Sequence, residues 1–462
     1  MAGACMVGPD YVRPSVEQPA RFKSQAISEV GPPISEEWWR LYREPELDRL
    51  IQTANESNQT LRQAVARVDE ARALARVAGS FLYPTISNDP SFRRQRYSAN
   101  RESTITGKKV LQGATVSDWL IPFDLTYEID VWGRVRRSFE SARAQAQASA
   151  DDAAAVRLIV ETDVTRFYYT LRSLDAQAQI LERTVVAYRE QVRVLSVQLR
   201  TGLVSPIVVS QAQAQLEATL AQHRDVLRAR ADQEHALAIL CGRPAPSFAI
   251  AVKPLGEVAP PAVPPGLPAQ LLARRPDVAE AEHNLVAANA QIGVATADFY
   301  PRFMLTGSAG FESADISTVF NWQSRVASIA PSISFPFFQG GRLRANLDAT
   351  RARYEQAVAV YTNQILVAYG DVEDALTDLH ALTDEVGSLR EAVGASHNYL
   401  RFAQAQYKYG LMDYLIVIDA ERTLLANQLS LAQAVNLQIS ASIQLIKALG
   451  GGWNPTENRP PP

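Results

Sequence analysis

The stretch Asp118–Arg136, DWLIPFDLTYEIDVWGRVR, joins two different periods at a glycine. Trp119, Ile121, Phe123, Leu125, Tyr127, Ile129 and Val131 alternate with Asp118, Asp124, Thr126, Glu128 and Asp130. A period of two with one apolar and one acidic or polar face predicts a strand between two different solvents. After Gly133 the alternation stops and helix-forming residues take over.

The transition recurs 208 residues later, where Gly133-Arg134-Val135-Arg136 matches Gly341-Arg342-Leu343-Arg344. At the same spacing Asp163-Val164 matches Asp371-Val372, Gly202-Leu203 matches Gly410-Leu411 and Gly242 matches Gly450. A gapless register of this length predicts an internal twofold repeat whose copies use helices of equal length. Tyr83-Pro84 matches Tyr300-Pro301 at a spacing of 217, so the first copy carries nine additional residues, around Ala99–Gly113.

Outward from the glycines, Val135–Arg200 and Arg344–Tyr409 contain no proline and are rich in Ala, Arg, Gln, Glu, Leu and Val. Each reads as one helix, a rod of roughly 100 Å at about 1.5 Å per residue, which can bury its apolar stripe only against neighbours of similar length. Gly202 stands where a left-handed terminator is wanted, Ser205 can cap the next helix and Pro206 takes its first turn. Gly410 and Asp413 play the same parts in the second copy, and Gly450-Gly451-Gly452 ends the last helix. Eight prolines between Arg243 and Pro268 preclude regular helix there.

The predicted organisation follows. An extended N-terminal segment covers 5–34. A first repeat covers 35–242, with strands at about 85–97 and 115–132, a long helix at about 134–200 and a helix at about 206–241. A Pro-rich connector covers 243–268. A second repeat covers 269–453, with strands at about 302–311 and 326–338, a long helix at about 342–409 and a helix at about 414–449. A tail covers 454–462. In the last strand Ile329, Ile333, Phe335 and Phe337 oppose Ser328, Ser332 and Ser334.

Four strands of about ten residues with an apolar band and a polar reverse face fit a transmembrane barrel better than a soluble sandwich. Four strands cannot close, and an open edge in lipid leaves backbone groups unpaired, so the chain must oligomerise. Two copies would give eight strands with a filled interior; three would give twelve and a channel. The acidic inward face makes sense around water.

With 47% hydrophobic residues and a net charge of −3 over 462 residues, the chain is neither disordered nor a nucleic-acid binder. No uninterrupted apolar stretch reaches the roughly 20 residues of a membrane-spanning helix. The two cysteines, Cys5 and Cys241, offer no disulfide framework and no cysteine metal site. Cys241 reads as a packed helix residue. Ala2-Gly3-Ala4 before Cys5 are the small residues that precede the lipidated cysteine of a bacterial lipoprotein, here close to a mature start and without the usual apolar leader. His223, His235, His283, His380 and His397 show no metal-binding spacing, and neither a phosphate loop nor a nucleophile motif is present, so no cofactor, no metal and no catalysis are expected.

Several runs together resemble a known family: Cys5 followed by Val7-Gly8-Pro9-Asp10-Tyr11-Val12-Arg13-Pro14, Trp38-Trp39, Tyr127–Arg134, Arg274-Arg275-Pro276-Asp277, and Ala448–Trp453. They are similar to the NodT-type outer membrane efflux lipoproteins, TolC-like outer membrane factors that include the OprM-like channels. The resemblance spans Cys5 to Trp453. It implies lipidation of Cys5 and a mixed α and β membrane protein: a homotrimer with a 12-stranded outer-membrane β-barrel, four strands per chain, continuous with a long periplasmic α-helical barrel. It further implies a passive, gated exit duct for drugs or other toxic small molecules, working with a periplasmic adaptor protein and an inner membrane transporter of the resistance-nodulation-division type. An outer membrane channel for type I protein secretion is the alternative.

The resemblance also places a periplasmic gate at Leu415 and Asp419, with the hairpin tips Gly202, Leu203, Ser205, Pro206, Gly410, Leu411 and Asp413 facing the adaptor. Spaced four apart, Leu415 and Asp419 share one helix face. Three symmetry-related carboxylates would form a negative ring that attracts cations and can hold one weakly, and three leucines would resist wetting. Tyr407 matches a tyrosine that in TolC helps lock the closed state. The positions of that tyrosine's partners hold Val208 and Met412, and a second pore aspartate is replaced by Ile416, which implies one acidic ring and a different lock.

Overall fold

A computed structural model describes residues 6–23, 34–98, 113, 115–256, 260, 261, 263 and 274–454. Cys5, the tail beyond Asn454, most of the nine-residue surplus region and much of the Pro-rich connector lie outside the described residues. The chain divides into two compact units. One takes in the described part of Met1–Ser15 with Val68–Ala148 and Ala281–Tyr361; the other comprises Val16–Arg67, Ser149–Glu280 and Thr362–Pro462 as far as they are described.

The first unit is built on an antiparallel sheet of β1 (Thr85–Ser87), β2 (Ser91–Arg96), β3 (Thr115–Ile129), β4 (Arg302–Ser313) and β5 (Arg325–Ser334). Both β1 and β2 pair with β3, which pairs with β4, which pairs with β5. The strand expected unbroken over about 85–97 is thus two pieces. Thr85 pairs with Thr126 and Ser91 with Leu120, so the pieces keep one register across the break. Pro90 and Pro122 account for it: neither has an N–H to give to the ladder, and the Asn88 amide instead donates to the Pro122 carbonyl at 2.7 Å. β3 and β5 also stop short of the expected 132 and 338, leaving Val131, Phe335 and Phe337 beyond the last strand residues. Pro336 follows β5 closely and cannot extend the ladder.

The register assigns every strand residue to a face. Trp119, Ile121, Phe123, Leu125, Tyr127 and Ile129 of β3 share one with Ser313, Phe311, Ala309, Gly307, Leu305 and Phe303 of β4, and with Ala327, Ile329, Pro331 and Ile333 of β5. Asp118, Asp124, Thr126 and Glu128 lie on the other with Thr306, Ser308, Ser328 and Ser332. That polar face also holds Leu120 and Pro122, which the simple alternation overlooks. At Gly310 a Cβ would sit 2.1 Å from the Ile121 carbonyl oxygen, so β3 and β4 approach this closely only because the position is glycine.

The run at the strand-to-helix joint has an electrostatic role. Arg134 forks onto Glu128 at 2.8 and 2.6 Å, and Arg136 holds Asp130 at 3.1 Å, across the turn from β3 into α3 (Arg134–Arg200). The Trp132 indole donates to the Pro301 carbonyl at 2.9 Å and its ring lies 4.7 Å from that of Tyr300. The N-terminal segment is fastened here too. Asp10 pairs with the buried Arg137 at 2.6 Å, Arg13 forks onto Glu282 at 2.7 and 2.6 Å, and Asn289 donates to the Pro9 carbonyl.

Helices carry the second unit. α1 (Pro45–Ser57) lies in it, and α2 (Gln59–Ser80), α3, α5 (Pro276–Ala297) and α6 (Arg342–Lys408) each contribute a part. α4 (Pro206–Leu240) and α7 (Tyr414–Ala448) belong to it entirely. α3 and α6 both have 67 residues, α4 and α7 both 35, α2 and α5 both 22.

Trp38, Leu47, Ile51, Val160, Val164, Tyr168, Ile439, Ile443 and Ile446 form the main core, with Trp38 on a 3-10 turn over Trp38–Tyr42. α7 is long and apolar enough by composition to cross a membrane, contrary to the expectation from uninterrupted runs, but its apolar residues at this end are core. The described connector residues carry neither helix nor strand apart from a 3-10 turn over Ala245–Ser247, and charges hold them. Arg172 and Arg230 grip Asp175 and donate to the Ala251 and Ile250 carbonyls, while Lys253 N–H donates to Asp175.

The Arg274–Asp277 run clamps the end of the chain. Arg275 forks onto Asp277 at 3.0 and 2.6 Å, reaches Asp371 at 2.9 Å and donates to the Ala448 carbonyl that ends α7. Burial pushes the Asp277 carboxyl up, but hydrogen bonds and charge from Arg275, with Gln364, overcome this and hold it below the usual carboxylate range.

Candidate gate at the helix-hairpin tips

Each long helix ends at a glycine with φ of +72°, Gly202 and Gly410. Leu203 N–H reaches back to the Gln198 carbonyl and Leu411 N–H to that of Gln406, both at 2.9 Å, closing the six-residue loop that a left-handed terminator permits. The returns differ. Asp413 caps α7 by accepting from Leu415 N–H at 3.1 Å. Ser205 stands at the cap position of α4 with an extended backbone, but its hydroxyl accepts no helix N–H, and Pro206 begins the helix without needing one.

Behind the tips Leu195, Ala212, Ala403, Tyr414, Val417 and Ala420 pack as one cluster. Tyr407 and Tyr414 meet edge to face at 4.8 Å, and the Tyr407 hydroxyl donates to Gln198 at 3.4 Å. Gln198 is therefore the polar partner of the Tyr407 hydroxyl. Burial raises the Tyr414 hydroxyl well above its ordinary pKa, and burial likewise raises the Glu421 carboxyl, which accepts from Gln191 at 3.1 Å.

With Tyr414, Val417 and Ala420 turned inward, Leu415 and Asp419 emerge on the exposed face of α7. The same stripe continues through Arg422, Ala426 and Ser430. Asp419 accepts from the Tyr399 hydroxyl at 3.1 Å, a contact across the hairpin from α6. Burial and then the Asp419 carboxylate raise the Tyr399 pKa. Neither Tyr399, Gln198 nor Arg422 is singled out by the sequence reading. A signal was present for Tyr399: two antiparallel helices joined at Gly410 bring residues at similar distances from the turn together, and Tyr399 and Asp419 flank it almost symmetrically. Gln211, the position equivalent to Asp419 in the first copy, is also exposed but uncharged.

Leu203 and Leu411, each 75% exposed, give the tips an apolar surface together with Ile207, Tyr409 and Met412. Among the described residues no three His, Cys, Asp or Glu side chains gather as metal ligands.

Along nearly its whole length the chain is similar to known proteins. The family model "Outer membrane efflux protein" matches residues 50–243 and again 267–451. The solvent efflux pump outer membrane protein SrpC of Pseudomonas putida is 34% identical, over 99% of this chain and 97% of that one. SilC of Salmonella typhimurium, a probable outer membrane lipoprotein, is 31% identical over 98% of this chain and 96% of its own. The crystal structure of the open state of the Neisseria gonorrhoeae MtrE outer membrane channel superposes with a TM-score of 0.84 at 29% identity, covering 97% of this chain and 99% of that one. Over nearly its whole length the chain thus matches these proteins in sequence and in fold, and it belongs to the outer membrane efflux protein family.

Proposed function

We propose that three copies of this chain form the outer membrane channel of a tripartite efflux pump, a passive gated duct for toxic small molecules. The carrying observation is the sheet: β1 and β2 leave one edge unpaired, β5 leaves the other, and the face through Trp119, Phe123, Phe303 and Ile329 carries an apolar band, with polar and basic residues confined to its hairpin end. Unpaired N–H and C=O groups are not tolerated in hydrocarbon, so each edge must meet the opposite edge of another copy. Three sheets, each four strands wide, close a barrel of about twelve strands, wide enough for water inside. The apolar face meets lipid and the Asp118, Asp124 and Glu128 face lines the lumen.

In this reading the matched helix lengths, and the family model's double match, reflect an internal duplication. The long helices form a periplasmic tunnel closed at its tip by rings of Leu415 and Asp419. The apolar tip residues receive a periplasmic adaptor, an inner membrane transporter of the resistance-nodulation-division type supplies the energy, and Cys5 carries the lipid anchor.

The test is reconstitution. Purified protein run by native mass spectrometry should be trimeric, and in planar bilayers it should conduct with block by divalent cations. Asp419→Ala should weaken that block about tenfold or more. A monomer that does not conduct would overturn the channel, and undiminished block in the variant would overturn the ring.

A further inference from the structure

We propose that the outward face of the sheet is a binding site for a phosphorylated glycolipid of the outer leaflet, one of the lipid A kind. The inference rests on the barrel reading above for which face meets lipid. Two independent features of that face support it.

The first is how charge is sorted between the faces. β2 carries three arginines; Arg93 pairs in register with Asp118 on the lumenal face, whereas Arg94 and Arg96 oppose Ser117 and Thr115 on the apolar face. Arg325, the first residue of β5, opposes Phe311 on that same apolar face. Among the described residues no carboxylate pairs with Arg94, Arg96 or Arg325, and all three are exposed. The Arg325 guanidinium lies over the Trp322 ring and donates to the Trp322 carbonyl at 2.9 Å. It is held in place yet lacks an anion. Arg96 closes β2 and Arg325 opens β5, so all three arginines lie at the hairpin end of the sheet, opposite the end joined to the long helices. Unpaired cations at the limit of an apolar band are suited to an anionic headgroup at the lipid surface.

The second feature is a groove of about 520 Å³ on the same face. It is lined by Ile86, Phe123, Leu125, Gly307, Ala309 and Ile329. Gly307, Ala309 and Ala327 open it, because three small residues in adjacent rows stand between larger ones. Ala309 pairs with Ala327, and the next outward-facing pair is Phe311 with Arg325. Arg325 thus stands one outward-facing row beyond the groove, at the sheet's end, where it also borders a second recess with Arg93, Asp118 and Glu312. An acyl chain in the groove with its phosphate at Arg325 uses both features, and a soluble anion would use only one. In the closed barrel β5 of one copy lies beside β1 and β2 of the next, which puts Arg94 and Arg96 on the strand neighbouring Arg325 at the same rim.

Native mass spectrometry of the trimer in detergent tests this with synthetic diphosphoryl lipid A, its dephosphorylated form and inorganic pyrophosphate. The diphosphoryl lipid should be retained in preference to the dephosphorylated one, and millimolar pyrophosphate should not displace it. Near an anionic lipid surface each arginine contributes roughly fivefold, so R94Q/R96Q/R325Q should weaken retention about a hundredfold. Gly307→Leu should weaken it separately by filling the groove; a Cβ there would make only ordinary contacts, 3.5 Å from the Ser328 carbonyl oxygen.

Equal retention of both lipids by the wild-type trimer would overturn the proposal even if the triple variant failed to assemble. Undiminished retention by the assembled triple variant would also overturn it. Displacement by pyrophosphate would reassign the arginines to soluble anions. A trimer that conducts but ignores phosphorylation sinks this inference and leaves the channel standing, whereas absence of a trimer sinks the channel.

Discussion

At Asp419, proposed above as the acidic ring of a gate, a single hydrogen bond sets how fully the carboxylate is already satisfied. The Tyr399 hydroxyl donates to this carboxylate from the neighbouring helix. Removing the donor by Tyr399→Phe should release the carboxylate and strengthen divalent block of single-channel current a few-fold, a change on the scale of one exposed hydrogen bond to a charge. The double variant with Asp419→Ala should match Asp419→Ala alone; a further change would mean that Tyr399 acts elsewhere.

Glu421 offers a pH test at the same tip. Burial raises its pKa in the folded chain above the unfolded value, so its protonated form is favoured on folding. The stability linked to it is present below the unfolded pKa, about 4.3, and is lost as pH rises through the higher folded value. Glu421→Gln should therefore raise the melting temperature at pH 7 and change it little at pH 3.5. An equal shift at both would show that the gain is not linked to the proton. Tyr399 could be found from hairpin symmetry. The burial of Glu421, on a helix in which two neighbouring turns also carry charges, could not, because period alone does not say which polar residue faces inward.

Among the elements, the long helices and their ends were the most legible. They depend on local chemistry: a proline-free run, then a glycine free to take positive φ. Gly202 and Gly410 share the same φ of +72°, and neither would bring a Cβ within 4 Å of a neighbour. Gly410→Ala should cost only about 1 kcal/mol, from backbone strain, seen as a modest fall in thermal stability with the proposed trimer retained. Gly310→Ala is a different case. Its Cβ would sit 2.1 Å from the Ile121 carbonyl oxygen, so β3 and β4 must separate, and the expected result is loss of the proposed trimer on native gels.

Less of the sheet was legible than of the helices. Alternation identified its apolar face, but the break at Asn88–Pro90 depends on a proline in the facing strand, and facing residues are set by register rather than by neighbours in sequence. For the same reason Ser205 has the composition of a cap and not its geometry, since a hydroxyl must also be aimed.

At the scale of the whole molecule, the runs that look like a family signature turn out to be fasteners. The Arg274–Asp277 run grips Asp371 and the end of α7. Arg275 is 8% exposed, so Arg275→Ala would leave Asp277 and Asp371 without their cation at an estimated cost of about 3–5 kcal/mol. The expected outcome is loss of folded protein, with a milder loss for Arg275→Lys, measured as the yield of folded protein from membranes. The sign of its pH dependence follows from Asp277. With a folded pKa below the unfolded one, its contribution is complete above about pH 4 and is lost as pH falls through the folded value. Acid should therefore narrow the difference between wild type and variant.

The equal helix lengths restrict how such a chain can change in evolution. α3 packs against α4 through Leu195 with Ala212 near the tip, Tyr188 with Leu216 further along, and Leu181 with Val226 beyond them. One residue deleted from α3 between these contacts would turn everything after it by about 100° and move it about 1.5 Å, exchanging buried side chains for exposed ones. A viable change in span must therefore enter as about seven residues at a time, in both arms of a hairpin, and in both hairpins if the tips are to stay aligned. Four simultaneous insertions form a rare mutational event. The reach of this protein into the space it crosses is thus close to frozen, and a lineage with a wider gap would more readily lengthen the partner than the channel.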